Sequence, residues 1–376
     1  MKSHLNQNLL IHLMSSKPIR IILDSHQGEL YNLAPMLFFW IQEKKFTSTN
    51  LEIIYVGHQM TNSQIESGLQ FLKGRIDFSL VNFEFVSNRK NLLQKIISFL
   101  SFLLYIFVNP KAWITLVPYD QKRIFYFFVN FASLKLIAFS HTSGYETYSK
   151  GFYHQKNLRY SKDFPILIKS KEGKEYANAL GYSKYIISGN YNNLEAYQNH
   201  ITKNIQSKND ICIFSYGKQD KMFKDQSWEE THLEIFRALQ NCCIEEISIK
   251  LHPSQNRSDI FELIDKNNLN ININFLEGNP ILAAYSFERF IAVLTSAGHH
   301  AIDLNKPVCC YASSKMRDEV RAFGIDPYPY SQFNAEEISS QKKLEDWLKI
   351  IRPANNLKRI HNDEYFLNFE ELCKKL

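Results

Sequence analysis

Ile247-Ser-Ile-Lys-Leu-His-Pro253 decides the fold: a β-branched strand runs into a cation, an imidazole and a proline that forbids its continuation. About forty residues on, Ala292-Val-Leu-Thr-Ser296 is a second short apolar run, and it ends in hydroxyls. In an open parallel sheet, ligands bind beyond the carboxyl ends of the strands, where loops and helix N-termini supply donors. Lys250, His252 and Pro253 on one strand end, and Thr295 and Ser296 on the other, therefore read as a phosphate pocket. Ser215-Tyr-Gly217, after the strand at 210–215, adds a hydroxyl and a glycine that permits close backbone approach. The plainer alternative is a strand end whose Lys250 and His252 face water.

Outward from this stretch, the second half alternates strands and helices. Strands are expected at 210–215, 246–251, 271–275, 290–294 and 307–311, and helices at 228–241, 258–267, 279–286 and 299–304. The first half repeats the alternation. Strands at 18–24, 51–56 and 77–81 separate helices at 30–44 and 63–73, followed by a helix at 90–108, an apolar run at 124–131, a strand at 134–139 and a last strand within 176–190 that includes Tyr185-Ile-Ile-Ser188. Two doubly wound α/β sheets follow. The expected domains are 1–192, Rossmann-like and acceptor-side, and 205–350, for the donor, joined by a polar linker over 191–209. Helices at 335–350 and 363–376 close the chain, and the segment 351–376 is expected to pack back on the first domain.

With 376 residues the chain exceeds the roughly 250–300 at which a single core stops growing. Its 45% apolar and 22% charged residues are globular values, and 28 Phe, 20 Tyr and 4 Trp supply ample surface to bury. A net charge of +6 over this length, without an Arg-rich block, argues against nucleic acid and for anionic small molecules or a lipid surface. The six cysteines lie mostly in apolar runs with no metal-ligand spacing, as expected of reduced thiols in a cytoplasmic protein. No signal peptide is expected from residues 1–16. The charge-free stretch 96–110 is shorter than the roughly 18–20 residues a spanning helix needs. The helix over 90–108, with Lys122 and Arg123 nearby, reads equally as interfacial, on anionic lipid, or as buried in the first domain. G-x-G-x-x-G and Walker-type loops are absent, which disfavours nicotinamide enzymes and ATPases. His299 and His300 follow Gly298 at a helix start, but surface pairs of this kind are common; His58, His154, His200 and His232 read as structural or solvated.

Residues 210–312 resemble the donor domain of bacterial sialyltransferases and related Kdo transferases, GT-B enzymes that use CMP-activated sugars. The His-Pro motif of those families matches His252-Pro253, and their paired-hydroxyl motif matches Thr295-Ser296. The resemblance implies that His252, Thr295 and Ser296 hold the departing CMP phosphate. It also implies that Glu277 binds the cytidine ribose, with Asn279 or Pro280 near the base. The first half departs from the pattern, because Thr142-Ser143 stands where those families carry an acidic pair that acts as general base. A hydroxyl cannot accept a proton at neutral pH, so Asp24 with His26, His141 or Glu146 must do so if transfer occurs. Of these, the loop carrying Asp24 and His26 is favoured, being the first strand loop of a GT-B enzyme. Asp24 as a plain helix cap is the structural alternative.

The expectation is thus a GT-B enzyme, two Rossmann-like domains facing across a cleft, that moves a sialic-acid-like or Kdo-like sugar from a CMP donor to a surface glycan, in lipopolysaccharide or capsule. It is expected in the cytoplasm, at the inner face of the membrane, with a glycan or glycolipid acceptor, no metal and no added cofactor. One alternative is a UDP- or CDP-dependent enzyme of the same fold, a polyol-phosphate transferase or an epimerase. Another is a non-catalytic glycan-binding protein, which the missing acidic pair favours.

Overall fold

The computed structural model describes residues 17–24, 27–42, 50–57, 60–85, 91–119, 123–139, 162–169, 171, 173–203, 211–218, 222–252, 255–295, 297–324, 327–328, 335–350 and 366–376. In chain order, the first half runs β1 (Ile19–Leu23), α1 (Gln27–Gln42), β2 (Leu51–Tyr55), α2 (Asn62–Gly68), β3 (Phe78–Asn82), α3 (Leu92–Val108), β4 (Ala112–Pro118), α4 (Arg123–Phe131), β5 (Ser133–Phe139), β6 (Ile166–Ile168), α5 (Gly173–Ala179), β7 (Tyr185–Ile187) and α6 (Glu195–Thr202). The second runs β8 (Ile211–Phe214), α7 (Asp225–Asn241), β9 (Glu246–Lys250), α8 (Arg257–Lys266), β10 (Asn272–Phe275), α9 (Pro280–Ser286), β11 (Arg289–Ala292), α10 (Gly298–Asp303), β12 (Val308–Tyr311), α11 (Ser314–Ala322), β13 (Glu336–Ile338), α12 (Gln341–Lys349) and α13 (Phe369–Lys375).

The chain forms two compact units. One takes the described residues up to Tyr197 and again those of 366–376; the other takes the described residues between. The first unit holds a seven-stranded parallel sheet in the order β3-β2-β1-β4-β5-β6-β7. The second holds a six-stranded parallel sheet in the order β10-β9-β8-β11-β12-β13. In both, the order reverses beside the first strand of the unit, between β1 and β4 and between β8 and β11. These are the topological switch points where open α/β sheets bind ligands. Both units are Rossmann-like, as the strand and helix alternation predicts.

The central strands are buried on both faces and so read as unbroken apolar runs. β8 (Ile-Cys-Ile-Phe) and β12 (Val-Cys-Cys-Tyr) are fully buried, and Phe214 of β8 stacks on Phe290 of β11 at 5.1 Å. Cys212, Cys309, Cys310 and Cys373 are buried free thiols, whereas Cys243 is exposed. One charge is buried in the first sheet. Arg20 of β1 pairs with Glu52 of β2 and donates from its guanidinium to the carbonyls of Ala132 (3.2 Å) and Pro110 (3.4 Å). Tyr105 of α3 donates to the same Glu52 carboxylate at 2.5 Å. Burial and that bond hold the Tyr105 phenol protonated, its pKa pushed up to about 12.

Several elements depart from expectation. β4, β6, α6 and α11 lie where no regular element is expected, and α5 takes the start of the stretch 176–190 expected as a strand. The stretch expected as one helix from 335 to 350 is instead β13, which pairs with β12 and extends the sheet, followed by α12. Ser340 separates the two and caps α12 by accepting from the Lys343 N–H.

The last residues join the first sheet's unit. Leu367 N–H donates to the Ser188 carbonyl (2.9 Å), and the Leu367 carbonyl accepts from Trp40 Nε1 (2.9 Å) and the Tyr191 hydroxyl (2.5 Å). Phe369 packs its ring on Trp40 at 5.2 Å, and Leu372 beside it is fully buried.

Candidate functional site

At the second switch point, three neighbouring strands end on polar residues. β8 ends at Ser215, β9 at Lys250 with His252 just beyond, and β11 leads through Val293 and Leu294 to Thr295. Ladder bonds continue past the strand ends, from Ser215 N–H to the Lys250 carbonyl (3.1 Å) and from Val293 N–H to the Phe214 carbonyl (3.0 Å), so the three termini are held in register. Leu294 is left-handed, at φ 47°, a conformation that disfavours a residue with a Cβ by about 1–2 kcal/mol. Strain of this kind gathers at ligand sites, and here it turns the chain between β11 and Thr295.

Ser215 is fixed by a partner that the sequence reading leaves among structural residues. His232 Nδ1 lies 2.9 Å from the Trp228 carbonyl, which can only accept, so Nδ1 carries the proton. Nε2 then accepts from the Ser215 hydroxyl at 2.7 Å. Complete burial holds the imidazole neutral, its pKa lowered to about 4. The Trp228 ring stacks on His232 at 4.1 Å, and its Nε1 donates to the Tyr216 carbonyl at 2.8 Å. The hydroxyl rotor of Ser215 is thereby fixed, and its oxygen can accept but not donate to a ligand. His232 falls on the buried stripe of α7 with Trp228, Ile235 and Leu239. Its inward face was thus readable; its hydroxyl partner, on another element, was not.

The Tyr216 ring lies 4.7 Å from the His252 imidazole at 30°, which brings the β8 and β9 ends together through their side chains. Burial pushes the Lys250 ammonium below the ordinary lysine range, with the Glu277 carboxylate pulling the other way. Its ammonium donates at 3.5 Å to the Leu251 carbonyl. Gln255, whose N–H donates to the His252 carbonyl at 2.9 Å, buries both its amide oxygen and its amide nitrogen without a hydrogen-bond partner. An unmatched buried amide costs about 1–3 kcal/mol, so Gln255 marks a place where a ligand or water completes the site. The sequence reading missed Gln255. Thr295 is buried, and its hydroxyl accepts from the Ala297 N–H at 3.2 Å. Gly217 follows Tyr216 in the loop beyond β8.

Glu277 stands apart from this group. It follows the edge strand β10, is 75% exposed, and forms an ion pair with Arg257 of α8. His299 and His300 are both buried, with ring centroids 3.7 Å apart. Pro253 and Ser296 lie outside the described residues, as do His26, His141, Thr142-Ser143 and Glu146.

In the first unit, Asp24 is buried just past β1, at that sheet's own switch point. Its N–H donates to the carboxylate of Glu29, itself fully buried in the first turn of α1. The helix residue thus caps back onto the strand end, the reverse of the cap expected from Asp24. Separately, Asn32, Lys169, Ser188 and Asn190 help line a small pocket, where Lys169 donates to Asn32 Oδ1 at 2.8 Å. Among the described residues, no group of three His, Cys, Asp or Glu side chains is placed to hold a metal ion.

No family profile matches the chain, and no curated protein is similar to it at a significant level. Solved structures of the same fold do match. A UDP-GlcNAc 2-epimerase from Methanocaldococcus jannaschii, in complex with UDP-GlcNAc and UDP, superposes with a TM-score of 0.62 at 13% identity, over 92% of this chain and 96% of that one. The UDP-GlcNAc 2-epimerase from Neisseria meningitidis bound to UDP-GlcNAc gives 0.53 at 13% identity, over 88% and 90%. Arabidopsis thaliana UGT89C1 complexed with UDP-L-rhamnose gives 0.56 at 10% identity, over 92% and 91%. The architecture is therefore GT-B-like, and these structures do not single out sialyltransferases or Kdo transferases.

Proposed function

We propose that the protein is a nucleotide-sugar enzyme whose donor phosphates lie across the ends of β8, β9 and β11, and that the donor is a uridine diphosphate sugar. The observation that carries this reading is the set of polar groups at one switch point: Ser215 fixed by His232, Lys250 with a single 3.5 Å backbone contact, and Gln255 with its buried amide unmatched. With Thr295 beyond β11, Ser215 and Lys250 stand at the ends of three adjacent strands, roughly 10 Å across, which suits a diphosphate. The UDP-sugar complexes among the structures of similar fold support the same choice over CMP.

In this reading Lys250 and Thr295 neutralise the phosphates, and Gln255 donates its amide N–H to a phosphate oxygen. His252, braced against Tyr216, donates to the bridging oxygen as negative charge develops on the leaving diphosphate. Ser215 accepts from a donor on the ligand. Ser296 and Pro253 keep their proposed places beside Thr295 and His252. Glu277 is less suited to the ribose role, because Arg257 already occupies its carboxylate. Asp24, braced by Glu29, is the proposed proton acceptor in the first unit, and His26 and His141 are the other candidates.

Isothermal titration with UDP, UDP-GlcNAc, CDP and CMP tests the donor, alongside NMR of the UDP-GlcNAc mixture. UDP binding that His252→Ala weakens by about tenfold or more is the expected outcome. Binding of CMP alone would restore the sialyltransferase-like donor, and binding of none of the four would leave a glycan-binding protein. Inversion at C2 of the UDP-linked sugar without an acceptor marks an epimerase; UDP release only when an acceptor is added marks a transferase.

A further inference from the structure

We infer that the outer face of α3 and α4 docks on an anionic membrane surface. Leu93, Ile97, Leu100 and Leu104 along α3, with Phe127 and Phe131 on α4, are each 54% to 66% exposed, far from the burial such side chains normally reach. The two helices form one platform. Phe128 of α4 touches Phe99 (6.2 Å) and Phe107 (6.4 Å) of α3, and Phe102 stacks on Phe125 at 5.7 Å beneath them.

The capping groups of α3 and its exposed Ser101 are satisfied within the helix, and Tyr105 turns inward to Glu52. Asn91 and Gln94 form a reciprocal capping box at its start. At its end the Asn109 side chain donates to the Tyr105 carbonyl at 2.7 Å. Ser101, exposed on the helix, turns its hydroxyl back to the Ile97 carbonyl at 2.9 Å. Such a helix can leave water at little polar cost. At 17 residues it is about 25 Å long, and no helix among the described residues is long and apolar enough to cross a bilayer. The geometry is that of a helix lying in the interface plane.

Charge selects the occupant. Lys95 lies on α3, Lys111 follows its C-terminal end and Arg123 opens α4, while Arg89, Lys90 and Lys122 adjoin them in sequence. Between Phe85 and Leu134 the one acidic residue is Asp120. A second copy of the chain, related by a two-fold axis, would set this basic rim against itself with almost no acid to pair it. Anionic headgroups meet the basic rim while acyl chains take the leucines and phenylalanines.

The test is flotation of the full chain, without nucleotide, with vesicles of phosphatidylcholine alone or with about a third phosphatidylglycerol, at physiological and at high salt. Binding to the anionic vesicles only, weakened by salt, is expected. Leu100→Gln with Leu104→Gln should reduce it roughly tenfold, and Lys95→Glu with Lys111→Glu should do the same. These side chains are exposed, so the variants keep the wild-type melting temperature. Failure of the wild type to float with anionic vesicles overturns the proposal. So does equal binding by all variants, or light scattering that shows a dimer which Leu104→Gln separates. Nucleotide binding is measured separately, so this outcome is independent of the donor chemistry.

Discussion

At the residue scale, Ser215 and His232 make two distinguishable predictions. Ser215→Ala removes the donor to a fully buried Nε2, and should cost about 1–3 kcal/mol of stability in urea unfolding as well as weakening UDP binding. An unchanged midpoint would mean that the hydroxyl does not satisfy the imidazole. His232 makes stability depend on pH with a defined sign. Its folded pKa lies below the unfolded value, so its neutral form favours folding above pH 6.5, and this contribution is lost as pH falls from 6.5 towards 4. A lowering from 6.5 to about 4 corresponds to about 3 kcal/mol. His232→Gln should therefore flatten the melting temperature profile between pH 4 and 6.5, and the same slope in both proteins would contradict it. At this scale the sequence was partly legible. The Lys250, His252 and Thr295 strand ends stood out because a proline and paired hydroxyls interrupt apolar runs. Gln255 and Glu29 did not, because a lone amide and a lone acid near a helix start carry no pattern until the fold supplies their neighbours.

At the element scale, the missed strand β4 shows where reading fails. Ala112-Trp-Ile-Thr-Leu-Val-Pro118 is buried along its whole length and so shows no alternation, which leaves Asn109-Pro-Lys111 as the one local break between it and the apolar α3. The expected helix over 335–350 failed for a different reason. Three residues of β13 are too few to show a period of two, and pairing with β12 decides their conformation. The cation inside β1 is a prediction of its own. Arg20→Met leaves Glu52 buried beside Tyr105 without its cation, and should cost about 3–5 kcal/mol; Arg20→Met with Glu52→Leu should cost clearly less than the two single changes combined. Strict additivity in urea unfolding would show that the pair is not coupled. Because Tyr105 belongs to α3, this network also fixes the inner side of the helix whose outer side faces lipid in our proposal.

At the scale of the whole molecule, both sheets follow from the alternation of strands and helices, and the switch points follow from strand order, which sequence alone does not reveal. The tail carries the last prediction. Phe369→Ala should destabilise the first unit by about 3–5 kcal/mol, because it empties a buried site against Trp40. Tryptophan fluorescence during urea unfolding reports it, and an unaltered transition would show the tail to be dispensable. The first unit is thus completed by residues 366–376, which come after every strand of the second sheet. During synthesis the first sheet has all seven of its strands by Ile187, yet its Trp40 flank stays uncovered until the whole second sheet and residues 366–376 have followed. A nascent chain arrested before residue 366 should therefore expose that flank to chaperones.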